Sequence, residues 1–217
     1  MNKKVYMLAL AAASLLAVSA QPLHASTPVS IFKGKNLNGW IQKPANSWTV
    51  KDASMASLGT ARGFIYTKTN YTYYRLIFTM RHISGNHSAC VLIFGESPTL
   101  DALGGIQFQV PNGGHWDYRP GHNNGGGSEF KSFTHPKFNA ANWSQVELLV
   151  NAKTGTARMA VAQPPGTKAV EVLDFKDPTA GRTGPIAWQI HNSGLFDEYK
   201  NVTVEINPAV NGLITTK

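Results

Sequence analysis

The sequence predicts an all-β protein built as a sandwich or jelly roll of two antiparallel sheets. Apolar and polar residues alternate along many short runs, which is the two-residue period of strands that bury one face. No window of helical length shows a convincing 3.6-residue period. The 20 glycines and 12 prolines fall mostly between the runs, where the chain must turn. Many short strands separated by turns are typical of sandwiches and jelly rolls.

Individual runs have recognisable strand patterns. The longest, residues 71–83, places apolar side chains such as Phe78 on one face and polar ones such as Arg75 on the other. Residues 145–151 and 156–162 flank a glycine-containing turn, which predicts a hairpin. The other predicted strands are residues 47–50, 62–67, 88–94 (apolar throughout, as if buried on both faces), 105–110, 168–173, 186–191 and 200–206. The inward positions predict a core containing Phe78, Leu148, Val150, Trp188 and Ile190.

The N-terminus has the pattern of a secretory signal peptide. Lys3 and Lys4 precede an apolar run, and small residues allow cleavage after Ala20 or Ala25. The run is too short for a comfortable transmembrane span, so we expect no membrane insertion after cleavage. We therefore expect residues 1–25 to be a signal peptide and residues 26–217 to form a single β-sandwich domain that is secreted or periplasmic.

The charge distribution argues against a nucleic-acid partner, and the cysteine content excludes an internal disulfide. The chain carries 20 Lys and Arg against 12 Asp and Glu, a net charge of +8. The basic residues are scattered and form no stripe, which together with the signal peptide argues against a nucleic-acid partner. Cys90 is the only cysteine, so an internal disulfide is excluded. Its apolar surroundings predict a buried, unreactive thiol.

The segment from residue 184 to 204 gathers more reactive groups than most strand ends. Alternation over residues 186–191 packs one face and puts Gln189 and His191 on the other. A turn with two adjacent carboxylates follows, the second of them Glu198. This grouping indicates a catalytic or binding site. The alternative is a hairpin whose polar face meets solvent.

A loop further upstream combines an imidazole, a carboxylate, a guanidinium and two aromatic rings. Its members are His115, Trp116, Asp117, Tyr118 and Arg119. Aromatic rings stack on the apolar face of a pyranose and the polar groups bind its hydroxyls, so the loop predicts a saccharide or glycoside ligand. The preceding strand would carry the outward amides of Gln107 and Gln109 toward the same surface. The alternative is a loop whose aromatic rings plug the end of a sheet.

Other chemistries lack their sequence markers. The histidines show no metal-binding spacing and no cysteine pair is present, so we expect no metal site. There is no Gly-x-Ser-x-Gly motif, no P-loop and no dinucleotide fingerprint, so we expect neither a serine hydrolase nor a bound cofactor. A standard glycosidase needs two converging carboxylates, whereas the adjacent Asp197 and Glu198 would point apart on a strand.

An ordered set of short motifs resembles the 3-keto-disaccharide hydrolase domain family. Residues 31–40, IFKGKNLNGW, are similar to the family's opening (L/I)F-x-G-K-x-L-x-G-W. Residues 85–89, GNHSA, resemble its G-N-S-G turn with one extra residue, and residues 184–189 and 199–206 resemble its closing strands. Each motif is weak alone, but together they run in order across residues 31–206. The other matching segments are residues 48–52, 64–68, 71–83, 105–110 and 142–143.

The resemblance implies a concanavalin-like jelly-roll sandwich and a secreted or periplasmic enzyme that acts on glycosides oxidised to a ketone at C3. Such a ketone acidifies the C2–H bond, so a base can take that proton, the aglycone can leave from C1, and water can then add. In this reaction His191 would be the base, because imidazole accepts protons near neutral pH, and Glu198 or Asp117 would orient it. The alternative for His191 is a structural histidine bonded to a loop carbonyl.

The chain also departs from the family pattern. Gln107 stands where many members have Glu, Pro111 stands near a common Asp, and Phe94 and Gly95 replace an Arg. These departures remove the family's obvious base and oxyanion partners. Three functions therefore stay open: a hydrolase or lyase that cleaves 3-keto-glycosides, a lectin-like carbohydrate-binding module without turnover, and a structural protein of the cell envelope.

Overall fold

The computed structural model describes residues 27–95, 104–118 and 134–217. Within these ranges the regular structure consists of β-strands, as the sequence predicted. No helix in them is long and apolar enough to cross a membrane. The predicted signal peptide lies outside the described residues.

Fourteen strands follow one another along the described chain. They are β1 (Val29–Phe32), β2 (Trp40–Lys43), β3 (Trp48–Lys51), β4 (Ser54–Ser57), β5 (Gly63–Thr67), β6 (Tyr73–Ser84), β7 (Ala89–Ile93), β8 (Ile106–Val110), β9 (His115–Asp117), β10 (Ser144–Asn151), β11 (Thr156–Ala162), β12 (Val170–Lys176), β13 (Ala187–Ile190) and β14 (Phe196–Ile206). Eight of them form sheet A, in the order β12–β11–β10–β6–β14–β4–β3 with β1 also paired to β14. Sheet B has the order β2–β5–β13–β7–β8–β9. Both sheets are antiparallel.

The core fills the space between the two sheets. Trp188 of β13 is fully buried. Its ring centroid lies 4.7 Å from that of Trp40, 4.8 Å from that of Tyr199 and 5.7 Å from that of Phe78. Aromatic rings from both sheets therefore interlock at the centre of the sandwich. The core residues predicted from alternation are all buried: Phe78, Leu148, Val150, Trp188 and Ile190.

Most predicted strands are present, with differences at their ends. β14 begins at Phe196 rather than at residue 200, so Asp197 and Glu198 lie in a strand instead of a turn. The extension forms because this part of β14 pairs with the end of β6. Strands β1, β2, β4 and β9 were not predicted, since four residues or fewer carry too little alternation to show a period.

The outer face of sheet A is partly covered by the C-terminal segment, residues 207–217. A buried ion pair holds it there: Arg75 Nε lies 2.8 Å from a carboxylate oxygen of Glu147. Arg75 donates to backbone carbonyls of the segment and Glu147 accepts from its backbone amides. The partners are Val210, Gly212, Ile214 and Thr215. The outer face of sheet B is where the predicted site amides lie.

Candidate functional site

The outer face of sheet B brings together the amides that the sequence predicted for a site. Along β8, Gln107 and Gln109 alternate with core residues and so face away from sheet A. Gln189 does the same along β13. Strand β7 lies between β8 and β13. In the antiparallel register Gln109 of β8 lies opposite Cys90 of β7, and continuing the register of β13 puts Gln189 opposite Cys90 from the other side. The three amides therefore share one surface, here called the amide surface.

Two of these amides are buried without a hydrogen bond. Gln107 and Gln189 are 0% and 1% exposed, yet neither side chain has a hydrogen-bond partner in the described parts of the chain. The indole N–H of Trp116, which lies opposite Gln107, is also buried and unpartnered there. Leaving a buried polar group unsatisfied costs about 1–3 kcal/mol. An ordered water or a ligand can satisfy such groups, so these side chains are candidates to bind polar atoms.

An apolar cluster lies beside the amides on the same face. Tyr66 of β5 packs with Leu92 and Ala187, and Tyr118 packs against this cluster. In the register of the sheet, Tyr66 lies opposite Ala187, Ala187 opposite Leu92, and Leu92 opposite Gln107. A row therefore runs across the strands from an aromatic ring to an amide. Such a row suits a ligand with an apolar face and a polar edge.

His191 follows β13 at one end of this face, where its ring stacks on His87. The ring centroids are 3.8 Å apart and the planes differ by 3°. His87 Nδ1 lies 2.8 Å from the Ser88 carbonyl and 3.9 Å from Cys90 Sγ, which places the stack next to the amide surface. Sequence reasoning missed His87. The family-like turn at residues 85–89 was the signal that could have indicated it.

Hydrogen bonds determine which nitrogen of each imidazole carries the proton. Asn192 donates through Nδ2 to Asn86 Oδ1 at 2.8 Å and to the Ser193 carbonyl at 2.9 Å. Its Oδ1 therefore faces His191 Nδ1, 3.1 Å away, as an acceptor. His191 Nδ1 must donate, which leaves Nε2 of the neutral ring as a proton acceptor. The same holds for His87, whose Nδ1 donates to a carbonyl.

Burial controls two titratable groups at this end of the face. Burial lowers the pKa of His87, and the neighbouring His191 lowers it further, against the opposing hydrogen bond to Ser88. A lowered pKa keeps the His87 ring neutral at physiological pH. Cys90 is buried, as predicted, and burial raises the pKa of its thiol. The thiol therefore stays protonated and unreactive.

Glu198 lies on the other side of the sandwich, which corrects its predicted role. The ring of the adjacent Tyr199 is in the core, so Glu198 points to the outer face of sheet A. There its carboxylate accepts a hydrogen bond from Arg81 Nε at 2.7 Å. Both sheets separate Glu198 from His191, and it cannot orient that ring.

His115 and Asp117 also lie away from the amide surface. Alternation along β9 puts Trp116 beside Gln107 and turns its two neighbours to the opposite side. The His115 ring packs edge-on against Phe175 at a centroid distance of 5.0 Å, at the margin of the core. The predicted roles of Asp117 in orienting the base and of His115 in binding substrate are corrected accordingly. Of the other predicted loop residues, Tyr118 lies on the site face and Arg119 lies outside the described residues.

A histidine–carboxylate pair lies between the sheets. Asp197 Oδ1 is 2.7 Å from His82 Nδ1, and the Asp197 backbone amide donates to Ser57 Oγ at 2.7 Å. Burial raises the pKa of Asp197 to about 6, against the effect of the His82 hydrogen bond. The same hydrogen bond raises the pKa of His82. This pair faces the core rather than the amide surface.

In the residues that the structure describes, no three His, Cys, Asp or Glu side chains are grouped so as to hold a metal ion. The chemistry available on the amide surface is hydrogen bonding by amides and an indole, apolar contact with aromatic rings, and proton transfer by imidazole.

The sequence profile of the 3-keto-alpha-glucoside-1,2-lyase-like domain matches residues 27–205. The chain belongs to this family. The match runs from before β1 into β14 and agrees with the resemblance found in the motifs. No curated protein matches the sequence.

Solved structures of low sequence identity share the fold. The carbohydrate-binding module CBM66 of Bacillus subtilis has a TM-score of 0.57 at 12% identity, over 78% of this chain and 97% of that one. A predicted glycosyl hydrolase of Parabacteroides distasonis has a TM-score of 0.50 at 16% identity, over 81% and 97%. The exoplasmic/lumenal domain of VIP36, solved with Ca²⁺ and mannose, has a TM-score of 0.57 at 10% identity, over 82% and 87%. These similarities confirm the predicted jelly-roll sandwich.

Proposed function

We propose that this chain binds a saccharide on the amide surface of sheet B and cleaves glycosides whose sugar carries a ketone at C3. The observation that carries the proposal is the pair of buried, unpartnered amides of Gln107 and Gln189 on one face of sheet B, with Gln189 two residues before His191. Sugar hydroxyls both donate and accept, so they can satisfy both ends of each amide. Membership of the 3-keto-alpha-glucoside-1,2-lyase-like family supports the oxidised substrate.

In this proposal His191 is the general base. Its Nε2 takes the proton from C2 of the 3-keto sugar, the C–H electrons form a C1=C2 double bond, and the bond from C1 to the aglycone breaks. The aglycone oxygen takes a proton from water. The hydroxide left by that water adds to C1 and the imidazolium returns its proton to C2, so that His191 is neutral again and the net reaction is hydrolysis.

The neighbouring residues have matching roles. Asn192 positions the imidazole by accepting from Nδ1, which keeps Nε2 unprotonated before the reaction. An amide N–H of Gln107 or Gln189 donates to the C3 oxygen as negative charge develops on it during proton removal. The neutral ring of His87, stacked on His191, offers an aromatic face to the imidazolium that forms.

A lectin-like binding module without turnover is the second candidate. The row of aromatic and amide side chains from Tyr66 to Gln107 favours it, since this row can hold a sugar without any base. The two candidates share the binding surface and differ in whether bound sugar is cleaved.

The test uses a 3-keto-glucoside with a chromogenic leaving group and its unoxidised parent. An enzyme of the proposed kind releases the chromophore from the oxidised compound only. Replacing Gln189 by Leu removes the amide at similar volume and should abolish binding at the amide surface, whereas Gln145→Leu makes the same change on the outer face of sheet A and should not. Binding without release would establish the lectin-like function, and neither binding nor release would reject the site.

A further inference from the structure

A second polar groove lies on the outer face of sheet A, on the opposite side of the sandwich from the amide surface. It consists of two adjoining hollows of about 210 and 290 Å³, both lined by Tyr73 and Asn151. Tyr73 faces outward because its neighbour Tyr74 is buried in the core. We call this feature the Tyr73 groove.

Cross-strand pairing builds the floor of the Tyr73 groove. Tyr73 of β6 lies opposite Asn151 of β10, which lies opposite Thr156 of β11. An aromatic ring, an amide and a hydroxyl therefore stand side by side on three adjacent strands, about 4.8 Å from one strand to the next. The next row along the sheet contains Leu149, Arg158 and Asp174. A flat, ring-shaped ligand lying across the strands can contact several of these groups at once.

The C-terminal segment forms a fixed wall of the groove. Asn211 lines the first hollow. The carbonyls on either side of it, of Val210 and Gly212, accept hydrogen bonds from Arg75 Nη2 at 2.8 and 2.9 Å. Arg75 is itself held by Glu147, and both side chains are buried. The backbone that presents Asn211 is therefore ordered before any ligand arrives, which lowers the entropic cost of binding.

The charges beside the groove favour a neutral ligand. The Nε and Nη2 atoms of Arg158 each lie 2.7 Å from a Glu171 oxygen, and Asp174 lies opposite Arg158 in β12. Lys153 lines the second hollow, so two carboxylates offset two cations and the groove offers little net attraction to an anion. The pair with Glu171 uses two of the five guanidinium N–H donors, which leaves donors for a hydroxyl-bearing ligand.

We propose that the Tyr73 groove is a second binding site, specific for a neutral saccharide. Tyr73 provides the aromatic contact to a sugar ring, while Asn151, Thr156 and Asn211 bind its hydroxyls. The site is independent of the chemistry proposed for sheet B. Because the two sites lie on opposite faces, a polymeric saccharide held in the groove keeps the chain close to its substrate and raises the effective concentration at the amide surface.

The test is an amide-resolved NMR titration of the mature chain with cellotriose and with maltotriose, both neutral. We expect the backbone signals of Asn151, Thr156 and Asn211 to shift with a Kd on the order of 1 mM. Tyr73→Ala should abolish these shifts and Gln189→Leu should leave them unchanged. Since Tyr73 also packs against the sheet, Asn211→Ala serves as a second, milder variant, expected to weaken binding about 2–10-fold through the loss of one hydrogen-bonding side chain.

Three outcomes would overturn this site: no shifts in the groove with either trisaccharide, shifts that persist unchanged in both groove variants, or shifts caused by a sulfated disaccharide but not by the neutral probes. The sheet B proposal fails separately. It fails if Gln189→Leu removes none of the shifts that the sugars cause.

Discussion

The imidazole rings of His87 and His191 lie face to face, with 3.8 Å between their centroids and 3° between their planes. His87 comes from the turn before β7 and His191 from the turn after β13. Two charged rings at this distance repel each other, so the stack requires at least one neutral ring. The protonation of His87 is therefore coupled to the charge on His191.

This coupling gives a first prediction. His87 should titrate below the usual value of 6.5 because it is partly buried and lies next to His191. Replacing His191 by Asn should move the pKa of His87 upward, since a neighbouring positive charge is removed. Ring-nitrogen NMR across a pH series measures the pKa of His87 in the wild type and in His191→Asn. A His87 titration that is identical in the two proteins would contradict the coupling.

The second prediction concerns the base. His191→Asn keeps a hydrogen-bonding side chain but cannot take the C2 proton, so turnover of a 3-keto-glucoside should fall about 10²–10⁴-fold. His135→Asn makes the same substitution at a half-buried histidine that stacks on Phe138, and should retain full turnover. Circular dichroism verifies that both variants are folded. Full activity of a folded His191→Asn protein would rule out the assignment.

A third prediction follows from the buried Asp197–His82 pair. The pKa of Asp197 is raised from 3.8 to about 6, and that of His82 is raised from 6.5. Both groups bind protons more tightly in the folded state, so this pair stabilises the protein most at low pH and loses that contribution as the pH rises through the folded values. We expect its contribution to the free energy of unfolding to begin to fall above the unfolded Asp value of 3.8 and to keep falling as the pH passes 6.5, the ordinary pKa of histidine.

Asp197→Asn should make that decline shallower, whereas Asp52→Asn, at an exposed carboxylate, should not. Urea unfolding at a series of pH values measures the slope of the free energy of unfolding against pH in each protein. Equal slopes in the wild type and in Asp197→Asn would show that the pair does not titrate as described.

The fourth prediction concerns the core. Trp188 is fully buried among aromatic rings from both sheets, so Trp188→Ala should lower the free energy of unfolding by about 3–5 kcal/mol. Ile83→Ala, at a side chain that is 48% exposed, should cost far less. Chemical denaturation of both variants measures the difference, and a loss near zero at Trp188 would mean that β13 presents its other face to the core.

The fifth prediction concerns the C-terminal segment. Glu147→Gln removes one of the two carboxylates that pair with the buried guanidinium of Arg75, the other being Glu205, and should cost about 1.5–3 kcal/mol. Glu171→Gln breaks the more exposed pair with Arg158 and should cost about 1 kcal/mol or less. Limited proteolysis should cut the C-terminal segment sooner in Glu147→Gln than in Glu171→Gln. Similar losses of stability in both variants would contradict the role of burial.

Much of this architecture follows from local pattern. Alternation of apolar and polar residues predicts β6, β8, β10, β11 and β13 and the face that each one buries, because a strand turns successive side chains to opposite sides. For the same reason the outward positions of Gln107, Gln109 and Gln189 are predictable. The shortest strands are not predictable, since one or two periods of alternation cannot be distinguished from an irregular segment.

The contacts that these side chains make cannot be predicted from the local pattern. The pattern within a strand does not state which sheet the strand joins, and β13 enters sheet B while β14 enters sheet A. Glu198, close to His191 in sequence, therefore ends on the far side of the sandwich, and His87 arrives from a distant turn to stack on His191. The sequence alone determined the β-sandwich, its core and its outward amides; tertiary structure decided which groups meet, because non-local strand pairing sets those distances.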